Sequence, residues 1–97
     1  MSINRFAKRI DENQGAIVAA LREAGAVVEV IHEPVDLLVW ADSTKQKSPM
    51  YVEVKNLATA YGRKGLNPKQ LGDMEGRPYV VVTDEQGALG ALRVLRA

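Results

Sequence analysis

Apolar residues fall along this 97-residue chain in two rhythms. From Asp11 to Gly25 they follow helical spacing, with Ile10, Ile17, Val18 and Leu21 on one stripe, which predicts a helix closed by Gly25. Asp11 as N-cap with Gln14 three residues on has the pattern of a capping box. Ala26 to His32 is rich in Val and Ile and predicts a strand, which Glu33-Pro34-Val35 breaks. Two more apolar runs follow, Leu37–Trp40 and Met50–Val54, separated by the polar stretch Ala41–Pro49. Asn56 to Leu66 is glycine-bearing and basic and predicts a surface loop. Asn67 as N-cap and Pro68 at the first helical position open a short helix to about Glu75, stopped by Gly76. Tyr79–Thr83 lacks clear alternation, which suits a strand covered on both faces. Asp84 caps a last helix with Ala88, Leu89, Leu92 and Leu95 on its apolar side, weakened by Gly87 and Gly90.

The order is helix, three strands, helix, strand, helix. A strand–helix–strand connection is normally a parallel crossover, so the Tyr79 strand is expected to lie parallel to the Met50 strand. The predicted class is α/β: residues 1–97 as one domain, a small mixed four-stranded sheet flanked by helices in the order αβββαβα.

Within this pattern one group of polar residues stands out. Strand side chains repeat every second residue, so Glu53 and Lys55 share a face while Val52 and Val54 point the other way. A hairpin closed across Ala41–Pro49 puts Asp36 opposite Lys55 and Leu38 opposite Glu53. Glu53 is then the diagonal neighbour of Asp36, roughly 7–8 Å away at the backbone. Strands this apolar are expected to be covered, and a buried ion carries a penalty of several kcal/mol. Lys55 offsets that penalty for one acid, not for two. A divalent cation is the economical missing charge, because hard cations favour carboxylate and carbonyl oxygens. The competing interpretation makes Asp36 a turn residue and Glu53–Lys55 a charge pair on a solvated face.

Composition narrows the setting. With 46% apolar and 26% charged residues the chain reads as globular rather than disordered. It has no cysteine, which excludes thiolate ligands and nucleophiles and fits a reducing, cytoplasmic environment. No apolar run approaches the roughly 20 residues of a membrane span. The net charge is +1, yet from Ser43 to Leu71 the basic residues Lys45, Lys47, Lys55, Arg63, Lys64 and Lys69 surround Glu53, the one acid of that segment. Such a segment can attract a polyanion locally, although a solvated basic loop has the same composition. His32 reads as a boundary residue at a strand end. Trp40 and Tyr51 share the acids' face by parity and read as core or rim packing, with base stacking the alternative.

Asp36, a gap of about sixteen residues and then Glu53-Val54-Lys55 resemble the restriction-endonuclease-like superfamily, whose signature is proline-aspartate followed by an acid, any residue and lysine. More narrowly, Asp11-x-Asn13-Gln14, Ala24-Gly25-Ala26-Val27, Val35-Asp36-Leu37-Leu38-Val39, Glu53-Val54-Lys55 and Leu66-Asn67-Pro68-x-Gln70 are similar to small phage and prophage nucleases of the Holliday-junction-resolvase-like and VRR type. The resemblance spans nearly the whole chain. It implies a restriction-endonuclease-like core and a metal-dependent DNA endonuclease, selective for junction, flap or branched DNA, in the cytoplasm of a bacterial or phage-infected cell. It also implies that Asp36, Glu53 and the Val54 carbonyl bind Mg2+ or Mn2+, that Lys55 orients or activates the attacking water, and that Gln70 supports the site. Arg63, Lys64 and Lys69 would hold flanking phosphates, and Tyr61 would touch the nucleic acid.

Two positions depart from the pattern. Val35 stands where proline is expected, with Pro34 displaced by one. Ala16 stands where such nucleases often carry a helix glutamate, which favours one metal over two and leaves Asn13 or Gln14 as a neutral donor. A non-catalytic nucleic-acid-binding module on the same fold is the alternative function, and a small interaction protein with a merely structural acid–lysine cluster is a third. Cutting both strands from one site per chain would call for a homodimer.

Overall fold

The first helix does not wait for Asp11. In the computed structural model, which describes residues 2–55 and 66–97 and, in residues 2–12, the backbone alone, α1 runs from Ser2 to Glu23. No glycine or proline interrupts residues 2–14, so nothing in that stretch stops a helix, and Asp11 lies inside it rather than capping it. Its C-terminal end follows expectation. Gly25 sits at φ +94, its N–H donates to the Arg22 carbonyl, and the Ala26 N–H donates to that of Leu21, the crossed pair of a Schellman turn.

The remaining elements are β1 (Val27–Val30), β2 (Leu37–Trp40), β3 (Met50–Val54), α2 (Pro68–Asp73), β4 (Tyr79–Val82) and α3 (Glu85–Arg96). They make a small α/β domain with one four-stranded mixed sheet in the order β1-β2-β3-β4. The first three strands are antiparallel neighbours, and β4 joins β3 in parallel across the α2 crossover.

Alternation assigns the two faces. Val28, Leu37, Val39, Val52 and Val82 are buried with Ile17, Val18 and Leu21 of α1 and with Ala88 and Leu92 of α3, so both long helices cover the same face. The opposite face carries Leu38, Trp40, Tyr51, Glu53 and Val81 and is only partly covered. β4 is an edge strand, and Tyr79 is 43% exposed, so the expectation of a strand buried on both faces does not hold. Arg96 closes the far end of the sheet by donating to the carbonyls of Ala24 and Ala41.

The β2–β3 register also differs from the predicted hairpin. Leu37 pairs with Val52, Leu38 with Tyr51 and Val39 with Met50. A slip of two residues keeps every side chain on its expected face and brings Asp36 and Glu53, the next positions along this ladder, directly across from each other. The polar connection does not close symmetrically. The Asp42 side chain takes the Thr44 N–H in a tight turn immediately after β2, and the spare residues collect before Met50.

Leu37, fully buried at the centre of the core, tests this packing. Leu37→Ala is expected to lower unfolding free energy by about 2–5 kcal/mol in urea titration, with an unchanged denaturant slope.

Candidate active site

Asp36 ends the turn that leads into β2. Its own carbonyl accepts the N–H groups of Ile31 (2.9 Å) and His32 (3.4 Å), which fixes the backbone at this point. His32 reaches that geometry at φ +70. The Asp36 side chain crosses to β3, where Oδ2 accepts the Val54 N–H at 2.8 Å. Its carboxyl group faces that of Glu53, and the proximity of that second carboxyl raises its pKa.

Glu53 is 6% exposed, the buried charged residue among the described residues. Its Oε2 accepts from Lys55 Nζ at 3.2 Å and from Gln70 Nε2 at 2.9 Å. Gln70 is itself immobilised. Its Oε1 accepts the Asn67 N–H, its own N–H donates to Asn67 Oδ1, and Nε2 also donates to the Pro34 carbonyl. The capping box of α2 thereby clamps the turn before Asp36 and aims an amide at Glu53.

Two facing carboxylates with one ammonium leave a surplus negative charge. Burial pushes the Asp36 carboxyl up to about 7, reinforced by the facing Glu53 carboxyl and opposed by the Val54 N–H and Lys55. Protonation of Asp36 therefore removes the surplus charge that burial opposes. Among the described residues, protein donors reach one oxygen of each carboxylate, Oδ2 of Asp36 and Oε2 of Glu53.

The donor set fits a hard divalent ion in this respect. No group of three or more His, Cys, Asp or Glu side chains occurs among the described residues, so two carboxylates would be the anionic ligands and carbonyl oxygen and water would complete the shell. Such an ion would discharge the pair as the proton does. Its affinity should rise with pH as that proton is lost.

The predicted site residues Asp36, Glu53, Lys55 and Gln70 thus converge. Val54 contributes through its N–H to Asp36. Lys69 is exposed on α2 and lines, with His32, Pro34 and Gln70, a cleft of about 250 Å³ beside the site. Tyr61, Arg63 and Lys64 lie outside the described residues. Gln14 lines a groove against Val30, whose partner Leu37 adjoins Asp36, but no hydrogen bond among the described residues links it to either carboxylate. The Pro34 carbonyl and the Val54 N–H are supports the sequence reading missed. Backbone groups carry no sequence signal of their own, and only the pairing register could have indicated them.

No family model, curated protein or solved structure matches this chain. Among the described residues, no helix is long and apolar enough to cross a membrane.

The raised Asp36 carboxyl has a consequence for stability. A group whose folded pKa lies above its unfolded value stabilises fully below the unfolded value, near 3.8, and loses that contribution as pH rises through about 7. Asp36→Asn keeps an acceptor for Val54 and a donor for Glu53 without the charge. In chelator, the variant should match the parent near pH 4 and gain progressively up to pH 7. Allowing for solvent screening at this partly open site, the gain at pH 8 is about 1 kcal/mol, read as a Tm higher by roughly 4–8 °C.

Proposed function

We propose that the chain is a metal-dependent DNA endonuclease with a restriction-endonuclease-like core, hydrolysing phosphodiester bonds in branched, flap or junction DNA. The observation that carries this reading is the pair of facing carboxylates, Asp36 and Glu53, with Lys55 beside them and a net charge that only a proton or cation can balance. A bound Mg2+ or Mn2+ supplies Lewis acidity toward a phosphate oxygen and activates water.

The chain's own groups do the rest. The Val54 N–H holds Asp36 in place and Gln70 holds Glu53, so neither acid must reorganise when substrate arrives. Lys55, one-fifth exposed, keeps access to solvent while touching Glu53, which suits a donor that orients the nucleophile and stabilises phosphate charge. Lys69, in the adjoining cleft, can hold a flanking phosphate and fix register without reading bases. One site faces one scissile phosphate, so cutting both strands takes two copies of the chain.

Ala16, half-buried on α1 in place of an acid, favours a second reading, a nucleic-acid-binding module without catalysis. That reading predicts salt-sensitive binding and no cleavage.

Labelled linear, flap and four-way-junction DNA incubated with the protein separates the two. Cleavage is expected in Mg2+ or Mn2+, is expected to stop in chelator, and should be abolished in Asp36→Asn and Glu53→Gln; equal cleavage by those variants removes the assignment. Gln70→Ala should retain DNA binding and lose roughly 10–100-fold in metal affinity or rate. Gln70→Glu, which turns a donor into a like charge against Glu53, should lose more.

A further inference from the structure

The sheet face that bears Glu53 also bears aromatic rings with cations over them. Tyr51 pairs with Leu38 on β2 and with Tyr79 on β4, and Trp40 is its diagonal neighbour across the β2–β3 ladder. Arg77 lies with its guanidinium carbon 5.6 Å from the Tyr51 ring centroid and donates to the Tyr51 hydroxyl at 3.3 Å. Lys45 Nζ sits 4.5 Å from the Trp40 centroid. Arg77 and Lys45 are both exposed, and among the described residues neither forms a salt bridge. Besides Asp36 and Glu53, the acid that the described strands carry on this face is Glu29, two strands away from Tyr51 on β1.

Rings and guanidinium planes accept a stacked base of any identity, and the cations beside them suit phosphate. Bases inside a duplex have their faces covered by neighbouring pairs, so such a surface is accessible to unpaired nucleotides. Tyr51 is two residues from Glu53 on the same strand face, about 6.8 Å along the chain.

We infer that Tyr51, Arg77, Trp40 and Lys45 form a platform that binds single-stranded DNA immediately beside the carboxylates. The selection of unpaired DNA for cleavage rests on the hydrolase reading; the binding itself does not.

Titration of the full chain in chelator at low salt tests it, following the fluorescence of Trp40, the sole tryptophan, and in parallel the anisotropy of a labelled strand. Oligothymidylate is expected to quench Trp40 and to bind about tenfold more tightly than a blunt duplex of equal length. Tyr51→Leu and the exposed Arg77→Ala should each weaken single-strand binding by about tenfold, while Tyr51→Phe, which keeps the ring, should not. Equal affinity for duplex and single strand, or unchanged single-strand affinity in both Tyr51→Leu and Arg77→Ala, overturns the platform. Weakened binding in those variants without any metal-dependent cleavage by the parent leaves the platform standing and removes hydrolysis. Metal-dependent cleavage with no single-strand preference does the reverse.

Discussion

Two carboxylates facing each other across one antiparallel ladder cannot both be charged beside a single lysine without help. Asp36 and Glu53 meet that constraint with one ammonium and two fixed N–H donors, and burial together with the facing Glu53 pushes the Asp36 carboxyl up to about 7. A core built for stability alone would fill these positions with apolar side chains, because breaking or half-satisfying a buried charge cluster costs more than such packing. Among the described residues, donors reach only one oxygen of each acid, and Lys55 stays one-fifth exposed.

The surrounding elements explain why the arrangement is rigid. α2 is only six residues long and buries none of its own helical residues, so it could not hold a position by packing. Gln70 anchors it instead. A single side chain completes the N-terminal cap, ties the helix to the Pro34 turn and supports Glu53, which joins three segments distant in sequence. Met74, just beyond the helix, is buried and adds the apolar contact that the helix itself lacks. Asp36 is fixed from the other side by backbone bonds to Ile31 and His32.

Most of this was legible in the residues, and the exceptions have physical causes. Parity alone placed Asp36, Glu53 and Lys55 on one face, because a strand's period of two survives any even slip in register. The slip itself was not legible. It depends on where the Asp42–Thr44 turn tightens, and several polar loops of the same length would close differently. The Asn67–Pro68–Gln70 cap was readable from its spacing, whereas the second use of the Gln70 amide was not, since its acceptors come from Pro34 and Glu53. Asp11 misled because a good capping residue was read as a boundary where helix-compatible residues simply continue upstream. Tyr79–Val82 misled because an unbroken apolar run looks alike at a sheet edge and at its centre.

The sheet divides its two faces between different tasks, and that division limits what the open face can be for. α1 and α3 both pack on the side of Leu37, Val39 and Val52, so the hydrophobic core is complete without the other side. Among the described residues, α2 reaches this face at Glu53 through Gln70. Among the described residues the rest of this face is neither a polar solvated surface nor a second core: Leu38, Trp40 and Tyr51 are half-buried, Tyr79 is exposed, and Lys45 and Arg77 lie over two of the rings. Aromatic side chains with cations poised above them remain soluble while free and offer both stacking area and positive charge to a partner. Their place next to a carboxylate pair that needs a counter-charge links the two halves of that face. Near neutrality the proton on Asp36 and the ammonium of Lys55 leave little net charge at the pair, so the cations beside the rings set the sign of this end of the face.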